Sequence, residues 1–245
     1  MPETRDVCIV GGGVAGLTAG TFTARAGLDV LVVSTGESIL RRNAHLENFP
    51  GFPAGVNSRL LLELIRDQAD RAGCAFADGR VTAVDRADDG RLSVAVDGRE
   101  DVLSDYVICA SWSDSSYLEA LDVGLIDRGS KTYVDVDENG YAGVDGLYAA
   151  GRLAEKRHQT VIAAGDGANV GVAVVEDSDV PFYHDWVAPE GYFTGRDREV
   201  PPGCEEIDED ERRERERESM ETMREYFAEP HPDEPTQHPS VADDE

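Results

Sequence analysis

The chain has 245 residues and is strongly acidic: 50 Asp and Glu outnumber 23 Lys and Arg, for a formal net charge of −27. Such a surface excludes nucleic acid and an anionic membrane as partners, because both require a positive field. The acidity is spread along the chain and only two lysines occur, so we expect a halophilic-type protein kept soluble in concentrated salt. A docking surface for a basic partner is the alternative.

The sequence shows no apolar stretch long enough for a membrane span and no basic-then-apolar leader at its N-terminus. We therefore expect a soluble, cytoplasmic protein. The four cysteines are far apart and form no C-x-x-C, and Cys8 and Cys109 lie in apolar runs typical of buried strands. This pattern favours small buried hydrophobes over redox chemistry, and no metal site is expected.

The clearest motif follows an apolar run at residues 6–10 (DVCIV), which reads as a buried parallel strand. Residues 11–16 (GGGVAG) match G-x-G-x-x-G through Gly11, Gly13 and Gly16. A small-residue helix over 14–26 and a second apolar run over 28–33 complete a βαβ unit. That context predicts a dinucleotide site, with the pyrophosphate on the helix N-terminus at Val14 and Ala15.

The end of the second strand departs from the usual dinucleotide pattern. Ser34 and Thr35 stand where an acidic residue would accept hydrogen bonds from the ribose, and Glu37 comes three residues late. Hydroxyl groups can also bind a ribose. The motif alone therefore leaves the choice of dinucleotide open.

The middle of the chain predicts mixed α/β structure around this unit. We expect an irregular pocket wall over 36–57, a helix over 59–72, a hairpin or small meander over 80–97 and a buried strand over 106–110. A helix from residue 159 or 160 to 175 contains Gly165, Gly167 and Gly171. These glycines indicate close packing against another backbone or a ligand, and a second phosphate loop is the alternative.

The C-terminal third changes character. Residues 178–228 are expected to be a surface-covering segment followed by a highly charged helix over 205–228. A stripe of Met220, Met223 and Phe227 on that helix would dock on the body of the protein or on a sister subunit. Residues 229–245 are rich in proline and acid, so we expect disorder.

Over residues 4–176 the chain resembles the FAD domain of the thioredoxin reductase family. The resemblance is carried by VGGGVAGL at 10–17, ENFPGFP at 47–53, YVICA at 106–110, and GLYAAG at 146–151 ahead of QTVIAAGDG at 159–167. It implies a Rossmann-like FAD-binding domain (residues 1–177) with a parallel sheet, a small β-meander and an acidic C-terminal helical extension.

The resemblance further implies FAD as cofactor, with Asn48 near the flavin ring and the N-terminus of the Gln159 helix facing its pyrimidine end. A helix dipole there would stabilise the negative charge of reduced flavin. His45 and His158 fall beside these positions as candidates for proton transfer, with ordinary loop hydrogen bonding as the alternative. The implied cofactor-binding residues are Gly11, Gly13, Val14, Ala15, Gly16, Ser34, Thr35, Asn48, Val81, Ala110, Gly151, Arg152, Gln159 and Thr160.

Three features depart from the family pattern. Only about twenty residues separate Ser111 from Lys131, where family members insert a domain for NADPH. The redox C-x-x-C of that domain is missing as well. The family's Gly-Asp, whose carboxylate holds the ribityl hydroxyls, is Gly151-Arg152 here, and an arginine cannot accept those hydrogen bonds.

These features predict a minimal FAD-binding oxidoreductase that exchanges electrons with a diffusible donor or a redox partner protein. The alternative is a non-catalytic relative that binds FAD or another adenine nucleotide as a sensor or partner subunit. A third interpretation is an inactive subunit that pairs with a complete reductase through residues 220–227, which would make the protein an oligomer. The sequence identifies neither donor nor acceptor.

Overall fold

The computed structural model describes residues 3–238 and residue 241. Four helices are present in this part of the chain: α1 (Val14–Arg25), α2 (Ser58–Arg71), α3 (Thr160–Asp177) and α4 (Glu209–Tyr226). The strands are β1 (Glu3–Val10), β2 (Val30–Ser34), β3 (Ala75–Asp78), β4 (Val81–Arg86), β5 (Leu92–Val96), β6 (Val102–Cys109), β7 (Leu125–Asp127), β8 (Thr132–Val134), β9 (Leu147–Ala149), β10 (Trp186–Pro189) and β11 (Cys204–Ile207).

One seven-stranded sheet organises the fold. Its parallel part runs in the order β3, β2, β1, β6, and β9 pairs with β6 in the same direction. The meander of β4, β5 and β6 is antiparallel and extends the sheet. The α/β class, the βαβ unit and the meander are therefore confirmed. None of the helices in the described part of the chain has the length and apolar character needed to cross a bilayer.

The central strands separate two apolar cores. Val7 and Ile9 of β1 face α1, α2 and α3, whereas Cys8 and Val10 face the meander and residues 117–154. All four side chains are at most 5% exposed. This two-sided burial is what the uninterrupted apolar run predicts for a parallel strand covered on both faces. The same burial raises the pKa of the Cys8 and Cys109 thiols to about 12, which confirms both as inert core residues.

The closest contact between helices joins α1 to α3. A Cβ atom on Gly167 would collide with the carbonyl oxygen of Ala15, and one on Gly171 would lie 2.9 Å from that of Ala19. The predicted packing of backbone on backbone is thus confirmed at two of the three glycines. At Gly165 a Cβ would meet no atom within 4 Å, so that glycine has no packing role.

The C-terminal region is more regular than the sequence predicts. Residues 205–207, expected as the start of the charged helix, instead belong to β11, which pairs in parallel with β10. Arg25 fixes this small sheet to α1 through an ion pair with Asp185, Nε to Oδ2 at 2.5 Å. The helix itself begins at Glu209, and Asp208 caps it.

The apolar stripe of α4 is only partly covered. Phe227 packs on Phe52, with ring centroids 6.2 Å apart, whereas Met220 and Met223 remain 55% and 38% exposed. Phe52 belongs to the loop that follows residue 47. The stripe therefore docks on the body of the protein at one of its three residues.

We expect Gly167→Ala to destabilise the protein by about 1–3 kcal/mol, because the added methyl group must push the α1 backbone away. Gly165→Ala is the matched control on the same helix, in open space, and should stabilise by up to about 1 kcal/mol through helix propensity. Urea unfolding of both variants measures the difference. Equal effects would contradict the close α1–α3 contact.

Candidate functional site

A cavity of about 770 Å³ runs along the carboxyl ends of the parallel strands. Each of four neighbouring strands ends on it, in the spatial order β2, β1, β6 and β9, and the residues that follow each strand form its floor. This is where open parallel sheets bind ligands. The cavity thus joins the glycine-rich turn to the start of α3.

The turn after β1 forms a cradle that side chains would block. Gly11 adopts a φ of +117°, and a Cβ there would lie 2.5 Å from the carbonyl oxygen of Ala110. A Cβ on Gly12 would lie 2.8 Å from Oγ of Ser34. Gly16 does not line the cavity; it lies below the turn, where a Cβ would collide with the carbonyl oxygen of Gly11. Gly11 and Gly16 are therefore required by close approaches to the backbone, whereas a Cβ on Gly13 would meet only Oγ of Ser38, at 3.9 Å.

Two helices begin on this cavity, and neither start is capped by a side chain. α1 starts after Gly13 and α3 after Gln159, with no acidic residue in either first turn. Elsewhere in the described chain, Asn57 caps α2 and Asp208 caps α4. Uncapped N–H groups and the positive end of the dipole favour anions. The first backbone N–H groups of α1 and α3, which lack a side-chain acceptor, therefore lie at the cavity.

Asn48 and Gln159 meet at the α3 end of the cavity. Nδ2 of Asn48 donates to Oε1 of Gln159 at 2.8 Å, although 111 positions separate the two residues. Both line the cavity. The family resemblance predicted both residues near the flavin ring, and their hydrogen bond shows that they do lie together.

His158 lies on the cavity beside Trp112, with ring centroids 4.5 Å apart. Desolvation lowers the pKa of the imidazole below its usual value, and the positive charges of Arg152 and Lys131 lower it further. The neutral ring is thus favoured near pH 7 and can accept a proton. His45, the other predicted proton-transfer residue, does not line the cavity; its Nε2 lies 3.3 Å from the carbonyl oxygen of Ala54.

Arg152 lines the cavity, but its guanidinium is held to one side. It lies over the Tyr133 ring, 4.7 Å from the centroid, donates to the Tyr133 hydroxyl and donates to the carbonyl of Lys156 at 2.9 Å. Its Nε is buried and has no acceptor among the described residues. The neighbouring Gly151 lies outside the cavity lining, and its N–H donates to the Asp166 carboxylate at 2.6 Å.

A buried arginine, Arg59, holds the cavity wall formed by residues 39–44. The sequence did not predict this role for Arg59. Arg59 is 3% exposed and donates to the carbonyl of Asn43 at 2.8 Å, with longer contacts to those of Arg41 and Ala44. Backbone carbonyls thus replace a carboxylate as its partners. The start of α2 is thereby hydrogen-bonded to this wall.

Residues 230–238, here called the C-terminal strap, lie against the same wall, in contrast to the disorder expected for 229–245. His231, whose side chain is 3% exposed, contacts Glu63 of α2 at 2.9 Å. Asp233 pairs with Arg41, and the N–H of Thr236 donates to the Arg41 carbonyl at 3.1 Å. The strap ends with His238 among the residues that line the cavity. Residues 239, 240 and 242–245 lie outside the described part.

Most residues that the sequence analysis singled out come together on this cavity. No sequence signal pointed to Trp112, to the Arg59 anchor or to the strap, because each depends on tertiary contacts. The predicted residues that line the cavity are Gly11, Gly13, Val14, Ala15, Ser34, Thr35, Asn48, Val81, Ala110, Arg152, His158, Gln159 and Thr160.

Known proteins similar to this chain agree with one another. Residues 6–45 match the family model described as FAD binding domain. The thioredoxin reductase of Aquifex aeolicus is 40% identical over 97 residues, which are 39% of this chain and 30% of that protein. The thioredoxin reductase of Chlamydia trachomatis is 32% identical over 123 residues, 47% of this chain and 38% of that protein. The chain thus spans about a third of the curated relatives.

Solved structures share the fold. A thioredoxin reductase from Gloeobacter violaceus has a TM-score of 0.64 at 17% identity, over 75% of this chain and 100% of that chain. The T. acidophilum thioredoxin reductase has a TM-score of 0.65 at 15% identity, over 71% and 99%. Residues 6–45 thus match an FAD-binding model, which indicates FAD as the cofactor, and the chain shares the fold of solved thioredoxin reductases.

The cavity fits this cofactor. The glycine cradle and the uncapped N-terminus of α1 suit a diphosphate, and the uncapped α3 suits the ring end. Arg152, which stands where the family has an aspartate, is also compatible with this cofactor. It cannot accept hydrogen bonds, but its buried Nε still lacks an acceptor and its guanidinium is tied to Tyr133. A ribityl hydroxyl can accept a hydrogen bond as readily as it donates one.

We expect Lys131→Gln to raise the pKa of His158 toward its ordinary value, because one of the two cations that oppose the imidazolium is removed. NMR titration of the histidine signals, with His158→Gln for assignment, measures the shift. Arg198→Gln removes the same charge from an exposed side chain and should leave the titration unchanged. A His158 that titrates above its ordinary value in the unsubstituted protein would contradict this environment.

We expect the double variant His231→Ala/Asp233→Asn to release FAD several-fold faster, because the contacts of these two side chains with Glu63 and Arg41 are lost. Glu234→Gln, which removes the same charge as Asp233→Asn from an exposed side chain that contacts no other side chain in residues 3–238, is the control. The dissociation rate is read from the rise in flavin fluorescence after dilution. An unchanged rate in the double variant would show that the strap does not cover the cofactor.

Proposed function

We propose that the protein is an FAD-dependent oxidoreductase that takes electrons from a diffusible donor or a redox partner protein and passes them to a separate acceptor. The observation that carries this function is the meeting of two uncapped helix N-termini on one cavity. One suits the diphosphate, and the other suits negative charge that appears on reduction. A site for nucleotide binding alone needs only the first.

The chain's own residues would bind and tune the cofactor, which supplies the electron-transfer chemistry. Gly11 to Gly13 and the first turn of α1 would hold the diphosphate, and Ser34 and Thr35 offer hydroxyls to the ribose. Asn48 and Gln159 offer amide groups at the α3 end. His158, neutral near pH 7, is placed to accept or return a proton.

The cysteines support direct exchange between the cofactor and an external molecule. All four are free, and burial raises the pKa of Cys8, Cys74 and Cys109 to about 11 or 12, so they remain protonated thiols. Cys204 is half-buried and donates to the carbonyl of His184. No internal disulfide relay operates between these positions, so electrons would enter and leave at the mouth of the cavity.

The test is anaerobic reduction of the FAD-loaded full chain, followed by the visible absorbance of the flavin. NADH, NADPH and a reduced one-electron carrier are offered in turn. Rapid bleaching by at least one donor and recovery with an added acceptor are the expected results. A chain that binds FAD but is reduced by none of them would instead be a non-catalytic FAD-binding subunit.

The two histidines give a matched pair for the same assay. We expect His158→Gln to slow flavin reduction or reoxidation by about 10²-fold while FAD affinity stays the same, because a positioned proton acceptor is lost. His45→Gln should leave both rates unchanged, since that ring contacts Ala54 outside the cavity lining. Equal rates in both variants would remove His158 from proton transfer.

A further inference from the structure

We propose that the mouth of the cavity beside Trp112 is a subsite for a small anionic redox substrate, one that carries a carboxylate or phosphate next to a flat apolar portion. This inference rests on the proposed function, because it names the class of molecule that would exchange electrons at this cavity. Three observations support it. Cations without carboxylate partners lie together at this mouth, Trp112 offers a flat apolar surface there, and both lie to one side of the glycine cradle.

Three cationic side chains at this mouth have no carboxylate partner within residues 3–238. Arg157 lines the cavity, is exposed and makes no side-chain contact. Arg152 contacts only a hydroxyl, a ring and a carbonyl. Lys131 lies over the Trp112 ring, with Nζ 5.0 Å from the centroid. Other arginines, such as Arg42, Arg66 and Arg198, also lack an ion pair within residues 3–238, but here three cations lie around one tryptophan and favour an anion that arrives from outside.

Three acidic groups near this mouth already pair with other cations, although Glu155 also interacts electrostatically with Arg152. Glu37, also on the cavity, follows β2 at the opposite end of the row of strands. The paired groups are Glu155 with Arg128 at 2.6 Å, Asp166 with Lys156 at 3.2 Å and Asp114 with Arg80 at 3.6 Å.

Trp112 supplies the flat apolar surface. Its φ of +65° places a bulky residue in the left-handed region, a strained conformation that persists only where its surroundings enforce it. In that conformation the indole meets the edge of His158 and remains partly exposed on the cavity. A ring can stack there while the cations bind an attached anionic group.

These cations do not lie where the cofactor's diphosphate would bind. The glycine cradle follows β1, whereas Trp112 follows β6 and Arg152 follows β9, the next strands along the sheet. The backbone at Arg152 lies close to the cradle, since a Cβ on Gly151 would be 2.8 Å from that of Ala15, but its guanidinium is held at Tyr133 and at the carbonyl of Lys156. Lys131 and Arg157 are therefore the cations that remain for a separate anionic group.

A small molecule fits this subsite better than an acidic protein does. The net charge of −27 would repel a large acidic partner over most of the contact surface. A small anion experiences mainly the local field within a Debye length of about 10 Å. The cations would raise its local concentration and its rate of arrival.

The first arm of the test needs no cofactor and uses the two tryptophans of the chain. In full-length Trp186→Phe, quenching of Trp112 fluorescence by iodide is compared with quenching by neutral acrylamide; Trp112→Phe reports Trp186 in the same way. The expected iodide-to-acrylamide ratio is several-fold higher at Trp112. It should fall to the Trp186 value when Lys131→Gln and Arg157→Gln are added.

The second arm uses the reduced holoprotein and two one-electron oxidants of opposite charge. Each flavin passes two electrons, one to each of two ferricyanide ions or one to each of two hexaammineruthenium(III) ions. The Lys131→Gln/Arg157→Gln variant should react about tenfold more slowly with ferricyanide and no more slowly with the ruthenium cation. Arg198→Gln/Arg224→Gln, with the same change in charge at exposed sites, should match the unsubstituted protein.

Equal iodide-to-acrylamide ratios at the two tryptophans would overturn the anionic subsite, whatever the holoprotein does. Equal slowing with both oxidants would also overturn it, because it would indicate general damage to the site. A chain that attracts iodide at Trp112 but cannot be reduced would contradict the proposed function and, with it, the redox class of the ligand. Faster reaction of an acidic redox protein than of ferricyanide would replace the small molecule with a macromolecular partner.

Discussion

The whole site depends on how closely α3 approaches α1. Gly167 and Gly171 lie one turn apart and meet the backbone at Ala15 and Ala19, so the two helices pack at a distance that any larger side chain would forbid. This contact brings the start of α3 beside the glycine cradle although some 150 residues separate them. One cavity then receives both helix N-termini, and the cofactor can bridge them. The same packing buries apolar residues of both helices against β1 and thus couples stability to the site.

Charge is distributed unevenly around that cavity. The surface as a whole is acidic, and many arginines form ion pairs with nearby carboxylates. The mouth keeps cations without such partners, and the cavity keeps helix ends without caps. Both features leave positive potential where a diphosphate, a reduced ring or an anionic substrate would bind. An acidic protein can in this way remain soluble and still attract anionic ligands to a single place.

Local patterns predicted the parts of the fold that are set locally. The apolar run at 6–10 and the glycines after it predicted β1 and the glycine cradle. Gly27, with a φ of +97°, follows the end of α1. The sequence could not give β10 and β11, since short strands that pair only with each other lack a periodic signal. Nor could the sequence predict that Arg152 contacts Tyr133. From the sequence, Arg152 shows only that the family's carboxylate is absent. The contacts of His231 with Glu63 and of Asp233 with Arg41 were not predictable either, since each joins positions far apart in the chain.

The most direct test is a crystal structure of the full chain grown with FAD. Density for the diphosphate over residues 11–16, with the ring between Asn48 and Gln159, is the result that this account predicts. Arg152 should keep its contact with Tyr133 in that structure. A groove filled by side chains, or Arg152 turned into the path of the ribityl chain with FAD bound elsewhere or not at all, would contradict it.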